Sequence, residues 1–329
     1  MRAETTIMRL LTGTSMNLIS GAIGVVRSLL ANFFLATHPH KWVNRGGLTL
    51  SILMVATLVA PPALAQPAFV TMRPSTTAAL WARYEALRQP LHFPARRESR
   101  FAPVVLETLP ADYHDSMPVA ERKALFMAIL MPKILLINNE INADRQFLEN
   151  VTDTLNAEQA ARLDALIQRY GTDDPQELLT RVDTIPPSLV VAQAVLEAGW
   201  GRSRLARSSN ALFGMKSGRH SDRVAFGRCR QDAAECYRSF DSLTDSVGAY
   251  IHTLNTHSRY AGLRVRRAES RAAGRAPASL ELATELQAFS VRGDAYVTDV
   301  QRLITSNKLE NLDSATLAEL PDGEMDTAL

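Results

Sequence analysis

The chain is 329 residues long, 46% hydrophobic, 21% charged and 6% aromatic, an ordinary globular composition that excludes a mostly disordered, collagenous or coiled-coil protein. Its formal charge is +2, from 36 basic and 34 acidic residues, too small an excess for a strongly basic nucleic-acid binder, so no nucleic-acid partner is expected. Two cysteines exclude a disulfide-built scaffold and any four-cysteine zinc site.

In chain order, residues 48–60 (LTLSILMVATLVA) form an uncharged, mostly apolar run. Lys41 and Arg45 precede it, and Pro61-Pro62 and Ala63-Leu64-Ala65-Gln66 follow. A positive flank, a short apolar run, a helix-breaking pair and small residues at −3 and −1 mark a secretory leader over 1–65, cleaved after Ala65. The run is short for a bilayer span, and the competing readings are an uncleaved anchor or a buried helix. Upstream lies a second apolar stretch, 18–36, interrupted by Arg27.

Residues 66–111 are rich in proline, arginine and small residues. They read as a linker or loosely packed N-terminal arm with one short helix around 78–87. Residues 121–141 carry apolar side chains on more than one face, as a nearly surrounded central helix does, with Pro132 as a candidate kink. Asn156 with Gln159 forms a capping-box signature ahead of the stripe Leu163, Leu166, Ile167 and Tyr170, and Gly171 stands at the C-cap. Asp174-Pro175 and Pro186-Pro187 open the next two helices, the second ending at Gly199-Trp200-Gly201. Residues 216–240 alternate in short stretches and hold Cys229 and Cys236, the mark of a small β-hairpin lobe. In an oxidising compartment these two cysteines are expected to close the hairpin as a disulfide; two reduced cysteines without a role are the alternative.

Ser242 and Asp245 cap a further helix, 264–275 is an arginine-rich stretch read as a solvated surface, and 279–289 and 295–304 are the last helices. Residues 310–329 hold six acids and no base, and read as an acidic disordered tail. The expected fold class is therefore mainly α with a small β-hairpin lobe, centred on a domain over 112–309. Its histidines are scattered, with His252 and His257 off a common helical face, so neither a metal nor a cofactor is expected.

The averaged charge hides three parts. The leader holds five basic residues and one acid, which leaves 31 basic against 33 acidic after Ala65; without the acidic end, 66–309 carries 31 against 27. A mildly basic body suits an anionic polymer, through an attraction that salt weakens.

The segment IPPSLVVAQAVLEAGWGRSRLARSSNALFGMK, 185–216, carries the chemistry. Glu197 ends an otherwise apolar helix, where lost solvation and the negative helix end both favour the protonated carboxyl. A general acid that protonates a glycosidic oxygen needs those conditions. Gly199 and Gly201 permit a tight turn, and Trp200 offers an apolar plate for a sugar ring. The bland reading, a solvated glutamate at a helix end, competes on physics alone.

AQAVLEAGWG, SRLA and NALFGMK resemble the bacterial glucosaminidases of glycoside hydrolase family 73, which cut peptidoglycan. ERKALF at 121–126, INNEI at 137–141, FDS at 240–242, NTHSRYAGLR at 255–264, GDAYV at 293–297 and NKL at 307–309 resemble the Bax-like branch. The resemblance implies a lysozyme-like α+β fold, a periplasmic or secreted monomer, and peptidoglycan glycan strands as partner. Membrane contact, including anchoring to the inner membrane, is expected only through an uncleaved leader. It further implies endo-β-N-acetylglucosaminidase activity with Glu197 as general acid and a second carboxylate in the lobe, Glu235 before Asp232, with Asp222 a distant third. Trp200, Asn210, Phe213, Tyr250 and Tyr296 are the candidate substrate-binding residues, Asn210 as a cleft wall and Phe213 through packing. Two positions depart from the family pattern: Ala198 stands where Ser or Thr is usual, and Phe289 where a tyrosine is expected. Tyr250 or Tyr296 is expected to supply the missing phenol. The competing functions are a lytic transglycosylase and a noncatalytic wall- or nucleic-acid-binding protein using Arg264, Arg266, Arg267, Arg271 and Arg275.

Overall fold

A computed structural model describes residues 69–113, 117–152, 154–217 and 236–319. The described residues fall into two compact units, one of them Phe147–Leu178 and the other drawn from Pro67–Gln146 and Leu179–Leu329.

In the first unit, α3 (Ala157–Tyr170) begins at a reciprocal capping box. The Gln159 amide donates to Asn156 Oδ1 at 2.9 Å, and the Asn156 amide donates to Gln159 Oε1 at 3.0 Å. Leu163, Leu166 and Tyr170 are buried along one face, and Gly171, at φ 69°, ends the helix by donating to Ile167 O. These are the residues whose spacing predicted the helix.

The second unit opens with β1 (Val70–Met72), α1 (Thr77–Ala86), β2 (Arg100–Phe101) and β3 (Val104–Leu106). The expectation of a linker or loosely packed N-terminal arm over 66–111 does not hold from residue 69 onward. β1 pairs in parallel with β3, and Leu80, Tyr84, Phe101, Val104 and Leu106 are fully buried or nearly so. The pairing partners are more than thirty residues apart (Val70 with Val104), so no local periodicity announces them.

Helix α2 (Val119–Glu149) is buried almost without a break from Ala124 to Leu136 and runs through Pro132 as one helix. It is the one described helix long and apolar enough to cross a membrane by length and composition, and it is mostly buried inside the protein. Asn138 on α2 donates to Ile185 O at 2.9 Å and accepts from Ile185 N, which anchors the entry to α5 (Pro187–Ala198). The short α4 (Pro175–Arg181) precedes this entry. α5 is buried from Pro187 to Val195 and packs against α9 (Ser279–Ala283), α10 (Asp294–Ser306) and the 3₁₀ segment Leu309–Ser314.

After α6 (Arg204–Ser209) come β4 (Lys216–Ser217) and β5 (Cys236–Tyr237), antiparallel with Lys216 opposite Tyr237. The chain therefore doubles back where the hairpin lobe was expected. Asp222, Cys229, Asp232 and Glu235 lie outside the described residues, and with them the expected disulfide. α7 (Leu243–Thr256) follows its own capping box, Ser242 with Asp245, and α8 (Ala261–Ala272) carries the arginine run.

Two expectations are corrected here. The arginine run is not a solvated surface throughout, because Arg264 is 5% and Arg267 0% exposed. Arg267 Nη1 donates to Asp183 O, Thr184 O and Asn255 Oδ1, and Nη2 donates to Thr180 O. Residues 310–319 of the acidic end are part of the fold. Leu309 and Leu312 are fully buried in the 3₁₀ segment, and β6 (Thr316–Leu317) pairs in parallel with β2. Acid content alone misread this stretch, since two leucines and one strand edge suffice to dock it.

Candidate active site

Glu197 stands in the last turn of α5, half-buried. Gly199, Trp200 and Gly201 then take φ values of 57°, 58° and 82°, three left-handed residues in succession. Glycine holds that conformation freely, whereas Trp200 holds it at a steric cost that the surrounding fold must offset. At Gly201 a Cβ would lie 2.6 Å from the Tyr113 ring, so glycine is required by space as well. This turn reverses the chain into Ser203, whose hydroxyl caps α6 by accepting from Ala206 N.

The returning chain then closes over the carboxylate. Asn210, left-handed at φ 51°, donates through Nδ2 to Phe240 O at 3.1 Å and Asp241 O at 3.0 Å, tying the α6 exit to the far side of the lobe. Phe213 is buried and stacks on Tyr250 with centroids 3.9 Å apart and planes 7° from parallel. Gly214, at φ 56°, lies against Glu197, where a Cβ would come to 3.1 Å from Oε2. The carboxyl thus abuts a position that carries no side chain.

Behind Glu197 lies a polar chain within an aromatic core. Tyr296 on α10 lies near enough to the Glu197 carboxyl for each group to act on the other's titration. Gln193, one turn earlier on α5 and 0% exposed, donates from Nε2 to Tyr296 Oη at 3.0 Å. The Tyr250 hydroxyl in turn donates to Gln193 Oε1. Phe289 stacks on Tyr296 at 5.3 Å and meets Tyr250 and Tyr260 at 6.2 and 6.4 Å. Burial pushes the Glu197 carboxyl above the usual carboxylate range, against the pull of the Tyr296 hydroxyl and the Arg292 charge. Burial likewise holds the Tyr250 and Tyr296 phenols neutral, with the Glu197 charge acting in the same direction. The arrangement is a carboxyl that keeps its proton more readily than usual, with a phenol and an arginine nearby that favour its charged form.

The predicted residues therefore separate. Glu197, Phe213, Tyr250 and Tyr296 come together, and Asn210 braces the base of the lobe. Trp200 joins a second aromatic group, edge-on to Phe93 at 5.8 Å and Phe126 at 6.0 Å, with Lys123 Nζ 5.0 Å from its ring centre. Phe289 supplies a ring without a hydroxyl, and Tyr296 supplies a phenol that acts on the titration of Glu197. Ala198 is fully buried. Sequence reasoning missed Gly214 and Arg292 beside the carboxyl, and Gln193 and Tyr260 beside the Tyr250 and Tyr296 phenols. Gln193 alone carried a signal, a polar residue on an apolar helix at i−4 from Glu197 and so on the same face. Among the described residues no group of three His, Cys, Asp or Glu side chains could hold a metal ion.

Comparison with known proteins gives the following. The glucosaminidase family model, described as mannosyl-glycoprotein endo-beta-N-acetylglucosaminidase, matches residues 174–309. The chain is 34% identical over 205 residues to protein bax of Escherichia coli (strain K12), covering 56% of this chain and 72% of that protein. It is 35% identical over 89 residues to the peptidoglycan hydrolase FlgJ of Vibrio parahaemolyticus, covering 23% of this chain and 28% of that protein. Among solved structures, the catalytic domain of the autolysin Auto from Listeria monocytogenes aligns at TM-score 0.32 and 18% identity, over 60% of this chain and 90% of that one.

Proposed function

We propose that this chain, which belongs to the Bax-like branch of the glucosaminidase family, is a peptidoglycan hydrolase that cuts the glycan strand after N-acetylglucosamine, with Glu197 as general acid. The observation that carries the reading is the setting of Glu197, a half-buried carboxyl at a helix end, faced by Gly214 and with its pKa raised by burial. Its proton passes to the glycosidic oxygen as the C–O bond breaks, and the carboxylate left behind is favoured by the nearby Tyr296 hydroxyl and Arg292 charge. The lobe supplies the second carboxylate, Glu235 ahead of Asp232, to activate water, or else the substrate's own acetamido group assists. Trp200, part of whose surface stays accessible, is the proposed plate for a sugar ring, and Phe213, Tyr250 and Tyr296 shape the wall behind the acid. Export through the 1–65 leader brings the enzyme to its polymer in the periplasm or the wall.

Purified protein incubated with peptidoglycan tests this. Wild type is expected to release fragments with reducing N-acetylglucosamine ends, read by mass spectrometry, and Glu197→Gln to be slower by about a hundredfold or more. 1,6-Anhydro-muramic ends would instead identify a lytic transglycosylase. Equal clearance by both proteins would remove Glu197 from the chemistry.

A further inference from the structure

We propose that Lys123 forms, with Trp200 and Phe93, a subsite for a carboxylate carried by the glycan strand, either on the lactyl group of its acidic sugar or on the peptide stem. The proposal rests on the hydrolase reading above and adds to it what the protein selects in its polymer. Two sequence motifs with no part in the surroundings of Glu197 meet here. ERKALF, at 121–126, supplies Lys123 and Phe126, and NKL, at 307–309, supplies Asn307. Lys123 Nζ donates to Asn307 Oδ1 at 2.9 Å and stands 4.6 Å from the centre of the Phe93 ring and 5.0 Å from that of Trp200. Phe93 and Phe126 both meet Trp200 edge-on. Segments far apart in the chain thus hold one ammonium beside one indole.

That ammonium has capacity to spare. It carries three N–H donors, of which Asn307 takes one, and the two rings attract its charge without neutralising it. Among the described residues no carboxylate pairs with Lys123, nor with Arg122 before it, whose Nε is buried without a hydrogen-bond partner. Burial and the Arg122 charge both disfavour the ammonium, so a carboxylate arriving there meets positive charge that the fold leaves unanswered. Phe93, Lys123 and Trp200 are half-buried rather than sealed, and Val119, one turn earlier on the same face of α2, is exposed. Rings beside a cation suit a sugar that bears an acid, since the rings take its apolar face and the ammonium its carboxylate. A neutral sugar uses the rings alone. Trp200 follows Glu197 by three residues, which keeps their Cα atoms within about 11 Å, in reach of one glycan strand.

The test is binding by calorimetry to the full chain carrying Glu197→Gln, which keeps the glycan whole. Three ligands are compared: glycan strands freed of their stems, with lactyl carboxylates exposed; strands with stems, whose acids lie on the peptide; and neutral chitin oligosaccharides. Acidic strands are expected to bind more tightly than chitin. Adding Lys123→Met is expected to weaken that binding about tenfold and to leave chitin within about twofold, whereas Lys123→Arg keeps most of the preference. Dependence on Lys123 for stem-free strands alone assigns the lactyl group, and for stem-bearing strands alone the peptide. A Lys123→Met protein that loses affinity for all three ligands equally is a protein without its structural clamp, and that result, or no loss for any ligand, would overturn the proposal. Where Lys123→Met fails to fold, Lys123→Gln carries the same test, since it removes the charge and keeps a donor for Asn307. Binding needs no cleavage, so a wild type that binds these strands and cuts none defeats the hydrolase reading alone.

Discussion

At the scale of single residues, the site depends on what Gly214 lacks. Its φ of 56° is a conformation in which a Cβ costs about 1–2 kcal/mol, and that Cβ would sit 3.1 Å from Glu197 Oε2. Gly214→Ala is therefore expected to lower stability by about 1 kcal/mol and to displace the carboxyl. The displacement should show as a fall in kcat of about ten- to a hundredfold with KM little changed, measured on peptidoglycan fragments. A variant with wild-type kcat would mean that Glu197 tolerates the shift. Glu197 itself was legible in the sequence, because apolar neighbours and a helix end act on a carboxyl locally. The Gly214 contact was not legible, because it depends on how the turn after α6 returns.

At the scale of elements, α5 is a helix whose N-terminus is completed from far away. Pro186 offers no side-chain cap; instead Asp313 accepts from Ser188 N at 2.8 Å and from Ser188 Oγ at 2.7 Å. Burial pushes the Asp313 carboxyl up to about 6, with the Ser188 hydrogen bonds opposing it. A raised folded-state value means that folding favours the protonated acid. This contribution is fully present below the ordinary Asp value of 3.8 and is lost as pH rises through about 6. Thermal melts from pH 4 to 7 should show wild type losing about 2–3 kcal/mol more than Asp313→Asn over that window. Asparagine keeps an acceptor for Ser188 N and does not titrate, so identical slopes for the two proteins would refute the assignment. The capping boxes at Asn156 and Ser242 were readable because cap and partner are three residues apart; the Asp313 cap spans 125.

At the scale of the whole molecule, the second unit is bound together by buried charge as well as apolar packing. Asp183, 1% exposed, receives Arg271 Nε at 2.7 Å and lies 3.4 Å from both Arg145 and Arg267. Arg267 also donates to three backbone carbonyls across 180–184, so α8 is held to the loop that leads into α5. Arg267→Ala leaves those acceptors and the Asp183 charge short of a partner, and is expected to cost about 3–5 kcal/mol in denaturant unfolding. Arg275→Ala, which breaks an exposed 3.7 Å pair with Glu281, is expected to cost about 1 kcal/mol or less. Equal losses would mean that the run is a uniform surface after all. One arginine-rich stretch thus holds two populations that composition cannot separate.

By itself the sequence determined the mainly helical class, the helix boundaries set by caps and glycines, the family, and Glu197 as the residue to watch. These features rest on interactions within a few positions, or on short motifs that survive as strings of letters. Only the tertiary structure decided that Gln193 and Tyr296 stand behind the acid, that Trp200 packs with Phe93 and Phe126, and that Arg267 is interior. It also decided that residues 69–111 and 309–319 are built into the unit that carries Glu197. The physical reason is distance along the chain: a buried polar group must find its partner wherever the fold brings one, and nothing in local periodicity or composition names it.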